Sequence, residues 1–175
     1  MLTPNIDVTK LSKNLRRDLR SDHAGETGAV MIYKGILAVS RDPALRSFAS
    51  THLETEQKHL ELFDSWLPKE DKSRLLLLWR VSGYLLGAFA ALISKRLTYY
   101  TIEIVEQFVV EHYESQILTA PRDVREILLQ LQAEEKVHKL EAITFQDDSQ
   151  NQVPKLWGLV VETGSRMAVN VARLI

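Results

Sequence analysis

Two Glu-x-x-His steps, Glu56–His59 and Glu135–His138, occupy matching places in an internal repeat. Each follows another glutamate at nearly the same distance: Glu26 lies 30 residues before Glu56, and Glu106 lies 29 before Glu135. Fourteen glutamates and five histidines strewn over 175 residues would give about 0.4 such steps by chance, so the count alone is a modest signal. Helical phase sharpens it. Glu26 is in step with Leu19, Val30 and Tyr33, and Glu56 and His59 with Phe48, Leu60 and Phe63. Glu106 is in step with Ile102, Val109 and Tyr113, and Glu135 and His138 with Leu128, Leu131, Ala142 and Phe145. All six fall on the apolar stripes of their helices, whereas Glu54, Glu61 and Glu126 fall on the wet faces.

Four buried carboxylates are ruinous without compensation, because an isolated interior charge is very costly. Lys and Arg are not matched to these stripes. Two divalent cations offset four glutamates, and two neutral imidazoles complete their shell. One Glu from each of two helices and a Glu-x-x-His from each of two others is the ligand plan of dinuclear carboxylate four-helix bundles. The pattern therefore assigns Glu26, Glu56, His59, Glu106, Glu135 and His138 as metal ligands. Carboxylate and imidazole suit iron or manganese alike. The competing reading is a metal-free bundle with glutamates on its flanks.

The chain has no cysteine, which excludes disulfides, thiolate zinc sites and cysteine-held iron–sulfur clusters. A net charge of −1 gives no case for nucleic acid. Length and a 45% hydrophobic content fit one domain over 1–175, with 1–13 as a lead-in. Met1 to Asp7 lacks the charged-then-apolar plan of a signal peptide, so a cytosolic start is expected.

The periodicity predicts an all-α chain: helices from Leu15, from Pro43 to near Trp66, over 75–93, over 98–119, from Pro121 to about Phe145, and from Pro154 to Ile175. Asp42-Pro43 is an N-cap followed by proline at the first helical position. Pro68 to Ser73 reads as a charged turn and Asp147–Gln152 as a polar loop. The segment 75–93 is apolar almost all round, carries only Arg80 as a charge, and is flanked by Lys72, Arg74, Lys95 and Arg96. It predicts a helix that packs on the bundle and dips into a membrane face, with Trp79 at the interface. An oligomer interface is the alternative.

Other polar residues have two readings each. His23 orients a ligand or is a helix-surface histidine, and Glu103, one turn from Glu106, is a spare carboxylate or one that supports a ligand from behind. Gly25 and Gly28 bracket Glu26 and thin the helix wall for a substrate or a close neighbour. Tyr113, with His112 beside it, reaches bound substrate as a candidate catalytic group or is a packed tyrosine. His52 reads as ordinary.

With these residues in place, the chain resembles the demethoxyubiquinone hydroxylase family, ferritin-like di-iron monooxygenases of ubiquinone biosynthesis. The resemblance runs from about residue 14 to the end. It rests on Asp22-His23-Ala24-Gly25-Glu26-Thr27-Gly28-Ala29, Glu56-Gln57-Lys58-His59-Leu60, Val105-Glu106 with His112-Tyr113, Glu134-Glu135-Lys136-Val137-His138, and the Leu78-Trp79 to Gly87-Ala88 stretch. The family's iron ligands fall on the same six residues. The resemblance implies a ferritin-like four-helix bundle with two additional helices, one strongly apolar. It also implies two iron ions, O2 as co-substrate, and hydroxylation of the ring of a demethoxy-ubiquinol. It further implies a polyprenyl quinone substrate, peripheral contact of 75–93 with the cytoplasmic face of the cell membrane, and a homo-oligomer or other ubiquinone-biosynthesis proteins as partners. The rivals are a ferritin-like iron-handling protein, a di-iron hydroxylase of an acyl chain or modified tRNA, and a membrane-associated bundle without catalysis.

Overall fold

The computed structural model describes residues 6–146 and 155–175. Six α-helices account for nearly all of them, and no strand occurs among the described residues: α1 Lys13–Val39, α2 Pro43–Trp66, α3 Leu76–Ile93, α4 Lys95–Ile117, α5 Arg122–Thr144 and α6 Lys155–Leu174. Their starts follow from local chemistry. Ser12 caps α1 and accepts from Leu15 N. Asp42 caps α2 at 2.9 Å from Leu45 N, with Pro43 opening the helix. Each cap satisfies an amide that has no partner within its own helix. Ser94 caps α4 at 3.0 Å from Leu97 N and starts it three residues earlier than periodicity predicts, because the cap and not the apolar stripe brings Lys95 and Arg96 into the helix. The lead-in contains a short 3-10 turn, Val8–Lys10, capped by Asp7 and anchored by buried Val8. The predicted loop Asp147–Gln152 and the opening Pro154 lie outside the described residues.

The all-α expectation holds. Helices α1, α2, α4 and α5 form the ferritin-like bundle, with α1 beside α2 and α4 beside α5; α3 and α6 lie outside it against α1 and α4. The bundle core has an apolar layer at each end. One contains Leu19, Phe63, Trp66, Leu128 and Leu131. The other contains Ile36, Leu45, Phe48, Tyr99 and Ile102. Between them the same stripes carry glutamate and histidine. On α1 the succession Leu19, Glu26, Tyr33 repeats every seven residues, so apolar, acidic and aromatic layers stack along one face.

Helix α3 is the one described helix long and apolar enough to cross a membrane, with a mean hydropathy of 1.7. Its inner face is small: Gly83, Gly87, Ala88 and Ala90 are buried, while Leu77, Leu85, Leu92 and Ile93 are exposed. The small face lets α3 approach the α1 backbone. A Cβ on Gly83 would collide with Gly28 O, one on Gly87 with Ile32 O, and one on Gly35 with Tyr84 O. Helix α6 closes the far side, where Trp157 Nε1 donates to Thr101 Oγ1 at 2.9 Å and its ring packs 5.5 Å from Phe89.

This packing makes a stability prediction. Gly87→Ala drives a methyl into the Ile32 carbonyl and is expected to cost about 1–3 kcal/mol. Gly164→Ala meets open space and is expected to be neutral or to gain up to about 1 kcal/mol of helix propensity. Denaturant midpoints of the two variants compare them directly, and a Gly87→Ala protein as stable as wild type contradicts the backbone-to-backbone contact.

Candidate metal centre

The six residues singled out by phase converge in the middle of the bundle, and none is more than 4% exposed. They form two groups of four: Glu26, Glu56, His59 and Glu135, and Glu56, Glu106, Glu135 and His138. Within each group the potential ligand atoms all lie within 4.8 Å of one another. Glu56 and Glu135 are common to both groups, so the glutamates of the two Glu-x-x-His steps stand centrally. Glu26, Glu106 and the two imidazoles stand at the ends.

The donor atoms crowd without pairing. His59 Nδ1 lies 2.9 Å from Glu135 Oε1 and 3.7 Å from Glu26 Oε2, while His138 Nδ1 lies 2.9 Å from Glu56 Oε1 and 3.0 Å from Glu135 Oε2. Some of these are hydrogen-bond distances, yet both Nδ1 atoms, both oxygens of Glu135, Glu56 Oε1 and Glu26 Oε2 lack an aligned hydrogen-bond partner. These atoms lie close together in two groups of four without satisfying one another. Ligand atoms about 2.1 Å from a divalent ion and at right angles to one another lie about 3 Å apart. The site fits a metal, because an ion satisfies at once the buried atoms that protein groups leave unsatisfied.

The metal-free electrostatics agree. Burial, and then the charge of Glu135, push the Glu56 and Glu106 carboxyls well above their ordinary range. Burial raises Glu135 as well, but His138 and His59 outweigh it and hold that carboxyl at about 2. Burial disfavours charge on His59, yet contacts with Glu135 and Glu26 raise its pKa. His138 is raised against burial in the same way, chiefly by Glu135.

Further contacts surround the cluster. Tyr113 OH donates to Glu26 Oε1, and Tyr33 OH donates to Glu106 Oε1 at 2.9 Å. Each tyrosine lies seven residues after the glutamate of its own helix and reaches across to the other helix's glutamate. Tyr113 lies on the site-facing stripe, as its phase indicates, and its E-x6-Y spacing, shared by Glu26 and Tyr33, is the signal that exposes the pair. Glu134 was not assigned a role, but its Oε2 lies 2.7 Å from His59 Nε2. His52 is not ordinary. Its ring packs edge-on against His138 at 4.2 Å, and its Nε2 lies 2.9 Å from Glu141 Oε2. His23 is neither a ligand orienter nor a surface residue: it is buried and pairs with Asp64 at 2.9 Å. Glu103 accepts from Gln146 Nε2 at 2.6 Å and stands outside both groups of four. His112 Nε2 meets buried Asp22 at 3.0 Å and Ser21 Oγ at 3.1 Å.

A cavity of about 510 Å³ lies between α1, α3, α4 and α6, lined by sequence neighbours of Glu26 and Glu106 but by neither glutamate. Ala24, Gly25, Gly28, Val105, Phe108 and Trp157 contribute to its apolar lining. Both readings of the α1 glycines hold in part. A Cβ at Gly25 or Gly28 would meet no atom within 4 Å, so they open space, while the Gly28 backbone also seats Gly83.

The family model of ubiquinone biosynthesis protein COQ7 matches residues 13–172. The chain belongs to this family. It is 29% identical over 161 residues to the human NADPH-dependent 3-demethoxyubiquinone 3-hydroxylase, mitochondrial, an alignment covering 87% of this chain and 74% of the human one. It is 26% identical over 170 residues to the Caenorhabditis elegans protein of that name, covering 92% and 90%. The Rhodospirillum rubrum 3-demethoxyubiquinol 3-hydroxylase is 38% identical over 103 residues, covering 57% of this chain and 49% of that relative. The matched stretch is thus about half the length of the bacterial relative.

The raised carboxyls set a pH dependence. Above the ordinary value of 4.5, the unfolded chain has lost protons that Glu56 and Glu106 still hold in the metal-free fold. The folded state then binds more protons, so these two groups lower stability as pH rises. Divalent metal displaces those protons. The gain in melting temperature on metal loading is therefore expected to be larger near about pH 8 than near about pH 6. Calorimetric titrations in buffers of different ionisation enthalpy are expected to show net proton release. Metal uptake without proton release contradicts this assignment of the carboxyls.

Proposed function

We propose that the chain is an O2-dependent di-iron monooxygenase that hydroxylates the ring of a demethoxy-ubiquinol. Glu26, Glu56, His59, Glu106, Glu135 and His138 hold the two irons. The observation that carries this reading is the pair of four-residue groups sharing Glu56 and Glu135, with their inward atoms left without protein partners. The names of the relatives supply the substrate class.

When bound, the irons supply O2 activation, which no side chain of this protein offers. The balance is one ring C–H, one O2, two electrons and two protons giving one ring C–OH and one water. The human relative's name points to NADPH as the source of electrons. The protein's own groups provide the setting. Glu56 and Glu135 belong to both groups of four, so either ion would be held by these two carboxylates. Tyr33 and Tyr113 hold Glu106 and Glu26 by hydrogen bonds from opposite helices. The apolar cavity behind α1 and α4 takes the quinol ring and excludes water.

The same reading gives α3 its outer surface. Leu77, Leu85 and Leu92 of α3 and Leu156 and Leu159 of α6 are exposed apolar residues on the two helices that wall the cavity from outside the bundle. Basic Lys72, Arg74, Lys95 and Arg96 flank α3. We place these apolar residues on the lipid surface, where a polyprenyl quinol enters the cavity with its tail still in the bilayer.

The test is a hydroxylation assay on Fe(II)-loaded protein with demethoxy-ubiquinol in liposomes, a reductant and O2. Wild type is expected to bind about two irons per chain and to form the ring-hydroxylated product. Glu106→Ala is expected to lose iron and product together. Gly25→Ala adds a methyl facing the cavity and is expected to keep iron while raising KM for the quinol. Iron-loaded wild type that gives no hydroxylated ring contradicts the proposed activity.

A further inference from the structure

The two halves of the acid–histidine cluster repeat one plan, but they differ behind the imidazoles. Both histidines turn Nδ1 inward to the carboxylates. His59 presents its outer Nε2 to Glu134 Oε2 at 2.7 Å. Glu134 is held in turn by Gln130 Nε2, which donates to Oε1 at 3.0 Å. Behind His138 the arrangement is different. No hydrogen bond to its Nε2 occurs among the described residues, and the His52 ring packs edge-on against the His138 ring, with centroids 4.2 Å apart. Glu141, the nearby acid, is taken by His52 Nε2.

The repeat explains the difference. Glu134 directly precedes Glu135, on α5, and reaches the histidine of α2. The corresponding place in the other half directly precedes Glu56 and holds Thr55, a half-buried residue on α2 with no carboxylate to offer His138. An imidazole that donates its outer N–H to a carboxylate is fixed in tautomer and ring orientation, and its coordinating nitrogen is more basic. Loss of such a partner typically weakens metal affinity about 10–100-fold.

Resting on the dinuclear reading above, we infer that Glu134 is a positioning residue that makes the two metal positions unequal. The position of Glu26 and His59 fills first and holds its ion more tightly. The position of Glu106 and His138 fills second and holds its ion more weakly.

Anaerobic Mn(II) titration tests this, followed by calorimetry and by electron paramagnetic resonance. Wild type is expected to show two steps separated by about 10–100-fold, with an isolated Mn(II) signal at one equivalent and a coupled signal at two. Glu134→Ala is expected to weaken the first step by a similar factor and draw the two together, with Glu134→Gln in between. Thr55→Glu is expected to give His138 its acceptor and tighten the second step alone. Glu134 and Thr55 are both partly exposed, and circular dichroism and melting of the metal-free variants check that each still folds. Two indistinguishable steps in wild type, or a folded Glu134→Ala with an unchanged first step, overturn the inference while leaving the dinuclear site intact. A wild type that takes up no Mn(II) and no Fe(II) overturns both.

Discussion

Four carboxylates and two imidazoles face one another at the centre of the bundle, almost wholly shielded from solvent, and the rest of the molecule is arranged around that cost. An uncompensated charge there outweighs the gain from burying several large side chains. The metal-free chain answers by holding protons on Glu56 and Glu106 and by setting His59 and His138 against Glu135. The hydrogen bonds from Tyr33 and Tyr113 satisfy two further oxygens without adding charge. The apolar layers on either side, with Phe63 and Leu128 in one and Ile36 and Ile102 in the other, hold four helices in register so that the polar layer meets.

A second constraint acts from outside. Helices α1 and α4 carry the two glutamates that lack a histidine, and both helices also line a cavity that they share with α3 and α6. Helix α3 forms one wall because glycines on both helices let it lie directly on the α1 backbone. That close seating spends its small residues inward and leaves its large apolar ones outward. The composition that makes 76–93 look like a membrane span thus serves two surfaces: a narrow protein-facing stripe and a broad apolar exterior.

The ligand candidates were legible because charge on an apolar stripe is a local conflict that one helix displays by itself. Glu26 in step with Leu19 and Tyr33 needs no knowledge of other helices, nor does Asp42-Pro43 as a helix start. Contacts that join distant helices were not legible in this way. Tyr33 on its stripe reads as core aromatic until Glu106 is found 2.9 Å away. Glu134 lies off the central stripe, partly exposed, and only the approach of α5 to α2 brings it to His59. His23 and His52 were misread for the same reason, since their partners Asp64 and Glu141 stand on other helices.

Diffraction from crystals of the iron-loaded protein, recorded on both sides of the iron absorption edge, tests the central claim most directly. The account predicts two anomalous peaks inside the bundle. Both lie against Glu56 and Glu135, one next to Glu26 and His59 and the other next to Glu106 and His138. Iron found only at surface carboxylates, with the buried cluster free of anomalous signal, would contradict it.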